Sequence, residues 1–131
     1  MRNTRKGFTL IELLIVVVIV GILALAAIPL ITSNTRDARR AEGEQLLGSA
    51  RDALRVEYSK TNTAPATPFA PASMTQTNFT GSYFKVDAAY GTAAGGFDQA
   101  VKAVGIAAGN PDGVGTMSFL WSSGNSTITW A

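Results

Sequence analysis

The chain contains no cysteine and no histidine. Without them the common zinc ligand sets, Cys–His pairs and Ser–His–Asp arrangements cannot be built, and no disulfide can brace the fold. A phosphate cradle is missing too: Gly91 to Gly96 is a Gly/Ala loop without the Lys-Ser/Thr ending of a P-loop. Charged residues make up only 15% of the chain, and none lies between Leu13 and Ile31. No aromatic residue stands between Phe8 and Tyr58, which rules out an aromatic path along that stretch. Tyr58, Phe84, Trp121 and Trp130 are left to core or head-surface packing. These absences point away from enzyme chemistry, and no catalytic residue, metal or cofactor is expected.

What is present is a long apolar run in a short chain. The 131 residues suffice for one modest domain, and the N-terminal third inflates a hydrophobic content of 47% and a mean hydropathy of +0.19. Leu13 to Ile31 is 19 residues. At 1.5 Å per residue it spans roughly 28 Å as a helix, close to the ~30 Å hydrocarbon core of a bilayer. One acid, Glu12, sits at its lip. An unpaired carboxylate entering hydrocarbon costs about a few kcal/mol, so an ionisable group there calls for a partner. Cutting the chain between Gly7 and Phe8 would supply one, because the new α-amine of Phe8 would lie about one helical turn from Glu12.

The segment Lys6-Gly7-Phe8-Thr9-Leu10-Ile11-Glu12 resembles the processing site of class III signal peptides, found in type IV pilins and type II secretion pseudopilins. The likeness covers Arg5 to Tyr58 well and the remainder only in general layout. It implies cleavage by a prepilin peptidase between Gly7 and Phe8 and N-methylation at Phe8. It also gives Glu12, with Thr9 beside it, a role in assembly: the acid neutralises the amine of a neighbouring subunit in a filament. The implied fold is α+β and pilin-like, a long N-terminal helix packed on a small C-terminal antiparallel sheet. The resemblance divides the chain into a cleaved leader 1–7, a transmembrane and assembly helix 8–31, an amphipathic helix of the head 32–60, an αβ-loop 61–80 and an antiparallel sheet 81–131.

An ordinary secretory signal peptide cut after Ala24-Leu25-Ala26 is the competing reading of the N-terminus. It leaves Glu12 without a purpose and beheads a helix that continues past Pro29. Sequencing the mature N-terminus separates methylated Phe8 from Ala27. Charge follows the leader: removing Arg2, Arg5 and Lys6 leaves 8 of the 11 basic side chains against 9 acidic, so the formal +2 belongs to the first seven residues. The basic cluster Arg36, Arg39 and Arg40 reads as a solvated helix face or a headgroup contact, with DNA binding the lesser alternative. Arg2, Arg5 and Lys6 favour a cytoplasmic N-terminus, but the later arginines weaken that bias, and orientation rests on the resemblance.

Gly21 and Pro29 interrupt the apolar helix; Pro29 offers no N–H to the carbonyl of Leu25. The resemblance implies that Gly21 to Pro29 loses helical order on assembly, and a kink tolerated in lipid is the plainer alternative. Beyond it, Thr35 to Ser59 carries Leu47, Ala50, Leu54 and Tyr58 on one face, which should meet the sheet. Gly43 and Gly48 each weaken this helix by up to about 1 kcal/mol relative to Ala. Arg51 and Arg55 form a like-charge pair, and Glu44 finds its useful partner in Arg40. Pro65, Pro68 and Pro71 make an extended loop. Strands are expected over Tyr83 to Tyr90, Thr116 to Ser122 and Ser126 to Trp130, while Gln99 to Ala107 reads as strand or short helix, with the Gly105 interruption and the meander that the resemblance implies favouring strand. Thr116 to Ser122 and Ser126 to Trp130 flank a Ser123-Gly124-Asn125 turn, with Met117, Phe119 and Trp121 meeting Ile128 and Trp130. Asn78-Phe79-Thr80 and Asn125-Ser126-Thr127 fit a glycan acceptor pattern that is common by chance.

The function expected is that of a structural subunit of a type IV pilus, polymerising through its hydrophobic helix into an extracellular filament for adhesion, motility or DNA uptake. A type II secretion pseudopilin or minor pilin is the alternative within the family, although Asp98 and Asp112 are isolated and no acidic calcium loop is evident. Outside it stands a monomeric membrane-anchored binding module. Partners implied by the resemblance are further copies of the chain in a helical homopolymer, a prepilin peptidase, an inner-membrane assembly platform of a pilus or secretion machine, and the membrane before assembly. The chain would begin as a single-pass inner-membrane protein and end at the cell surface. Nucleic acid is not an expected partner.

Overall fold

The computed structural model describes residues 7–71 and 74–131. The leader expected over residues 1–7 therefore lies outside the described residues except for Gly7. The elements are α1 (Leu10–Thr61), a 3-10 turn (Gln76–Phe79), and strands β1 (Phe84–Val86), β2 (Gln99–Gly105), β3 (Gly115–Phe119) and β4 (Ser126–Trp130). The strands pair antiparallel in the order β1-β2-β3-β4. The fold is α+β and pilin-like, a long N-terminal helix packed on a four-stranded antiparallel sheet. The chain separates into two units, residues 1–35 and 36–131.

In the first unit every described residue is exposed, including Leu13, Val17, Ile22 and Leu25. A helix can persist with no tertiary partner only in a solvent that tolerates its apolar surface, and this one is long and apolar enough to cross a membrane. Pro29 removes one backbone donor. Just past it, the hydroxyls of Thr32, Ser33 and Thr35 donate to the carbonyls of Pro29, Leu30 and Ile31, so these polar groups are satisfied within the helix.

The second unit has a core. Leu47, Ala50 and Leu54 of α1 are fully buried against Phe84 and Val86 of β1, Val101 and Ala103 of β2, and Met117 and Phe119 of β3. Spacings of three and four place the helical trio on one face, while alternation places the strand residues on one side of the sheet. Met74 and Phe79 close the core from the αβ-loop. Asn62, at φ 52°, ends α1 in the left-handed region, and its N–H bonds the Tyr58 carbonyl at 2.7 Å. Gly43, a weakness by helix propensity, has a packing reason: an added Cβ would stand 2.8 Å from the Trp130 ring.

Three details depart from the sequence reading. β1 is three residues, not the stretch Tyr83 to Tyr90, because Phe84 and Val86 are buried whereas Ala88 faces solvent, so the apolar alternation stops paying after Val86. The β3–β4 turn begins at Leu120, whose N–H bonds the Asn125 carbonyl at 3.0 Å, so Trp121 leaves the strand. Met117 does face Ile128, but Trp130 lies opposite Gly115, and Trp121 instead stacks on Tyr58 with ring centroids 5.1 Å apart. The ambiguous stretch after Gln99 is a strand, β2.

Candidate assembly site at the helix start

The first helical turn is organised by two side chains. Leu13 N–H bonds the Thr9 carbonyl at 3.3 Å, which makes Thr9 the N-cap of α1 and Glu12 its third helical residue. One Glu12 carboxylate oxygen accepts from the Thr9 backbone N–H at 2.9 Å and from the Thr9 hydroxyl at 2.8 Å, while Glu12 N–H donates to that hydroxyl at 3.4 Å. This reciprocal arrangement is a capping box. The Thr-x-x-Glu spacing that announces it was in the sequence, and reading Glu12 only as an assembly acid overlooked it. The cap satisfies two donors of the helix start, and the acid also meets the positive end of the helix dipole.

Among the described residues no cation lies within ion-pair distance of Glu12. Its donors are all on Thr9, so the carboxylate keeps its negative charge uncompensated by another side chain. Phe8, at 86% exposed, precedes the cap, and an added Cβ at Gly7 would meet nothing within 4 Å. The Gly7–Phe8 bond is thus open to approach. Gly21 and Pro29 both lie inside α1, which runs through them without interruption. Gly21 likewise has open space where a side chain would be.

The arginine cluster is spent differently from its expected roles. Arg36 is exposed, but Arg39 pairs with Asp112 at 3.0 Å and lies over the Tyr83 ring. Arg40 donates to the Asp112 carbonyl at 2.8 Å and covers Trp130. Asp112 is buried, so the two arginines tie the β2–β3 loop to α1 instead of facing solvent or headgroups. Glu44 accepts from the Trp130 indole N–H at 3.1 Å and does not pair with Arg40. Arg51 and Arg55 avoid mutual repulsion by reaching carbonyls of the β3–β4 turn, at Gly124, Trp121 and Ser122.

Other titratable groups are structural. The Lys102 ammonium, 2.9 Å from Asp87, holds that carboxyl below the usual aspartate range. Burial pushes the Tyr90 phenol up to about 12, and its hydroxyl has no hydrogen-bond partner among the described residues. Asp98 accepts the Trp121 backbone N–H at 2.9 Å. Among the described residues no cluster of three or more acidic, Cys or His side chains could hold a metal ion.

Comparison with known proteins adds an independent line. The family model for the prokaryotic N-terminal methylation motif matches residues 2–28. The fimbrial protein EcpC of Eikenella corrodens is 38% identical over 66 residues, covering 50% of this chain and 43% of the relative. A fimbrial protein of Neisseria meningitidis serogroup B is 35% identical over 85 residues, 65% of this chain and 50% of the relative. A type IV major fimbrial protein FimA of Dichelobacter nodosus is 52% identical over 60 residues, 46% of this chain and 35% of the relative. The matches therefore span from about a third to a half of these relatives' own length. No solved structure matches the chain significantly. The methylation motif falls on the very stretch that carries Gly7, Phe8 and Glu12, and the relatives the chain is similar to are fimbrial proteins, type IV major fimbrial proteins among them.

Proposed function

We propose that this chain is the building subunit of a type IV pilus. Prepilin peptidase would cut between Gly7 and Phe8, the new Phe8 amine would be methylated, and the helix from Phe8 to Ile31 would hold the subunit in the inner membrane until it joins the filament. The observation that carries this reading is a fully exposed apolar stretch of α1, uncharged from Leu13 to Ile31, whose one acid at the mouth, Glu12, has neutral donors only. A surface of that kind suits lipid and a bundle of like helices equally, so one segment serves the subunit before and after assembly.

In this scheme the Glu12 carboxylate exchanges its Thr9 donors for the charged amine of Phe8 on a neighbouring subunit. Both charges are then satisfied in an apolar interior, where either alone is costly. Gly21 to Pro29 is the stretch that gives way on packing, because Gly and Pro make it the least cooperative part of the apolar helix. The relatives named as major fimbrial proteins, and the commitment of Asp98 and Asp112 to Trp121 and Arg39, favour a pilus over a pseudopilus.

Surface filaments provide the test. Mass spectrometry of sheared fibres should find this chain beginning at a methylated Phe8, and Glu12→Ala should abolish or sharply reduce the fibres while the subunit still accumulates in the membrane. Unchanged fibre yield with Glu12→Ala would sink the assembly role of the acid. A chain found only as a membrane monomer would support a simple anchor instead.

A further inference from the structure

The two edges of the sheet are protected very differently. β1, at one edge, is three residues long, carries Lys85, and is turned back by a bridge from Thr80 to Lys85 with the Gly81 N–H on the Phe84 carbonyl. Short length, a lysine and a covering turn are the usual means of blocking strand addition. β4, at the other edge, has none of these. Ser126-Thr127-Ile128-Thr129-Trp130 contains no charge and no proline, and its register with β3 runs through without a bulge.

The hydrogen-bond phase of β4 is fixed by its neighbours. Val114 and Ala131 exchange both backbone bonds, and Leu120 N–H reaches the Asn125 carbonyl. In an antiparallel ladder such pairs alternate, so Thr127 and Thr129 bond back to β3, while the N–H and C=O groups of Ser126, Ile128 and Trp130 point off the sheet. Among the described residues no strand lies beyond them. The side chains follow the opposite alternation. Ile128 and Trp130 pack toward the core, and Thr127 and Thr129 are exposed on the outer face.

We infer that the β4 edge is a docking surface for the β4 strand of a second copy of this chain, paired antiparallel about a two-fold axis at Ile128. The sequence Thr127-Ile128-Thr129 reads the same in both directions, so this register is self-complementary. Ile128 exchanges two backbone bonds with its counterpart. Ser126 and Trp130 of each copy exchange theirs with Trp130 and Ser126 of the other, and every outward group of the strand is satisfied. On the solvent face Thr127 of one copy stands opposite Thr129 of the other, a favourable cross-strand pair. A shift by one residue would set outward groups against groups already bonded to β3, and a shift by two would leave the outward groups of Ser126 or of Trp130 without a counterpart in the strand, so the pairing centred on Ile128 satisfies the most groups.

A two-fold axis through the sheet reverses the strands and residues 36–61 of α1 together. Two heads joined this way cannot belong to a set of subunits that share one helix direction. The pairing uses the head alone and stands without the filament reading; where that reading holds, it links separate filaments of opposite polarity.

The absence of native cysteine allows a register-specific test on the full-length chain in detergent. Thr127→Cys and Thr129→Cys variants are mixed under mild oxidation; opposed residues of a non-hydrogen-bonded pair have Cα atoms about 4.5 Å apart, within disulfide reach. The mixture should give a dimer carrying a 127–129 linkage at least about tenfold faster than a Thr75→Cys control, since Thr75 is exposed but remote from β4 in sequence and sheet. In a second arm, Thr127→Lys/Thr129→Lys and Thr127→Glu/Thr129→Glu chains are compared by native mass spectrometry, because like charges set directly opposite oppose pairing and opposite charges favour it. Each alone should lose the head-to-head dimer, and their mixture should restore it. Cross-linking of the mixture no faster than the control, or self-association of both charged variants equal to the unmodified chain, would overturn the proposal.

Discussion

The two stretches of α1 share one backbone conformation and almost nothing else. Residues 10–35 expose every side chain, whereas residues 36–61 bury Gly43, Leu47, Ala50 and Leu54. The first stretch is apolar all round and the second apolar along a stripe, which is the difference between a helix that takes its stability from the surrounding medium and one that takes it from a sheet. Polar groups divide the same way. In the first stretch they turn inward onto the helix itself, as Thr9 with Glu12 and the hydroxyls after Pro29 do. In the second, Arg39, Arg40, Arg51 and Arg55 reach across to loops 66 to 73 residues away in sequence.

The sharpest way to break this contrast is to delete the same kind of group in both stretches. Leu54→Ala should cost the head about 2–5 kcal/mol in urea denaturation, as buried leucine truncations do. Val18→Ala should leave head stability unchanged, since Val18 is 54% exposed and belongs to the other compact unit. Comparable losses from both would mean that the two stretches do not draw their stability from separate sources.

Thr9→Ala sharpens the comparison at the helix start. Loss of the cap should weaken the first turn by about 1 kcal/mol, with faster amide exchange at Leu10 to Leu13 and no change in the head's unfolding midpoint. Thr9→Ser, which keeps the hydroxyl, should behave as the unmodified chain. A global shift in stability would show that the cap is not local.

The smallest effect concerns acid. The Lys102 ammonium lowers the Asp87 pKa in the folded head, so this pair's contribution is present above the ordinary aspartate value of about 4 and is lost as pH falls through the lower folded value. Lys102→Met should flatten that part of the head's stability curve below pH about 4, while leaving helical signal from the apolar stretch untouched. An identical acid limb in the variant would assign the loss to other carboxylates.

Much of this architecture was legible in the chain. The apolar run, the stripe Leu47-Ala50-Leu54 and the β3–β4 hairpin follow from period and turn chemistry, because each depends on residues near in sequence, whereas β2 has no clear period and is read as strand only with the help of Gly105 and the resemblance. The capping box was legible as well, in Thr9 and Glu12, although the acid's place beside an apolar run drew attention to assembly first. β1 was overextended because alternation from Phe84 to Tyr90 carries no information on where partner burial ends. The arginine destinations were out of reach, since a long flexible cation can serve lipid, solvent or a loop carbonyl with the same sequence around it.

Sequence alone determined that this protein has an uncharged apolar stretch with an acid at its mouth, a stripe for a sheet and short strands to form it, because periodicity and hydropathy are properties of neighbouring residues. Only the tertiary structure decided that Arg39 and Arg40 hold the β2–β3 loop through Asp112, that Gly43 makes room for Trp130, and that β4 is an uncovered edge among the described residues. Those outcomes depend on which distant groups the folded chain brings within a few ångströms, and no local pattern encodes that.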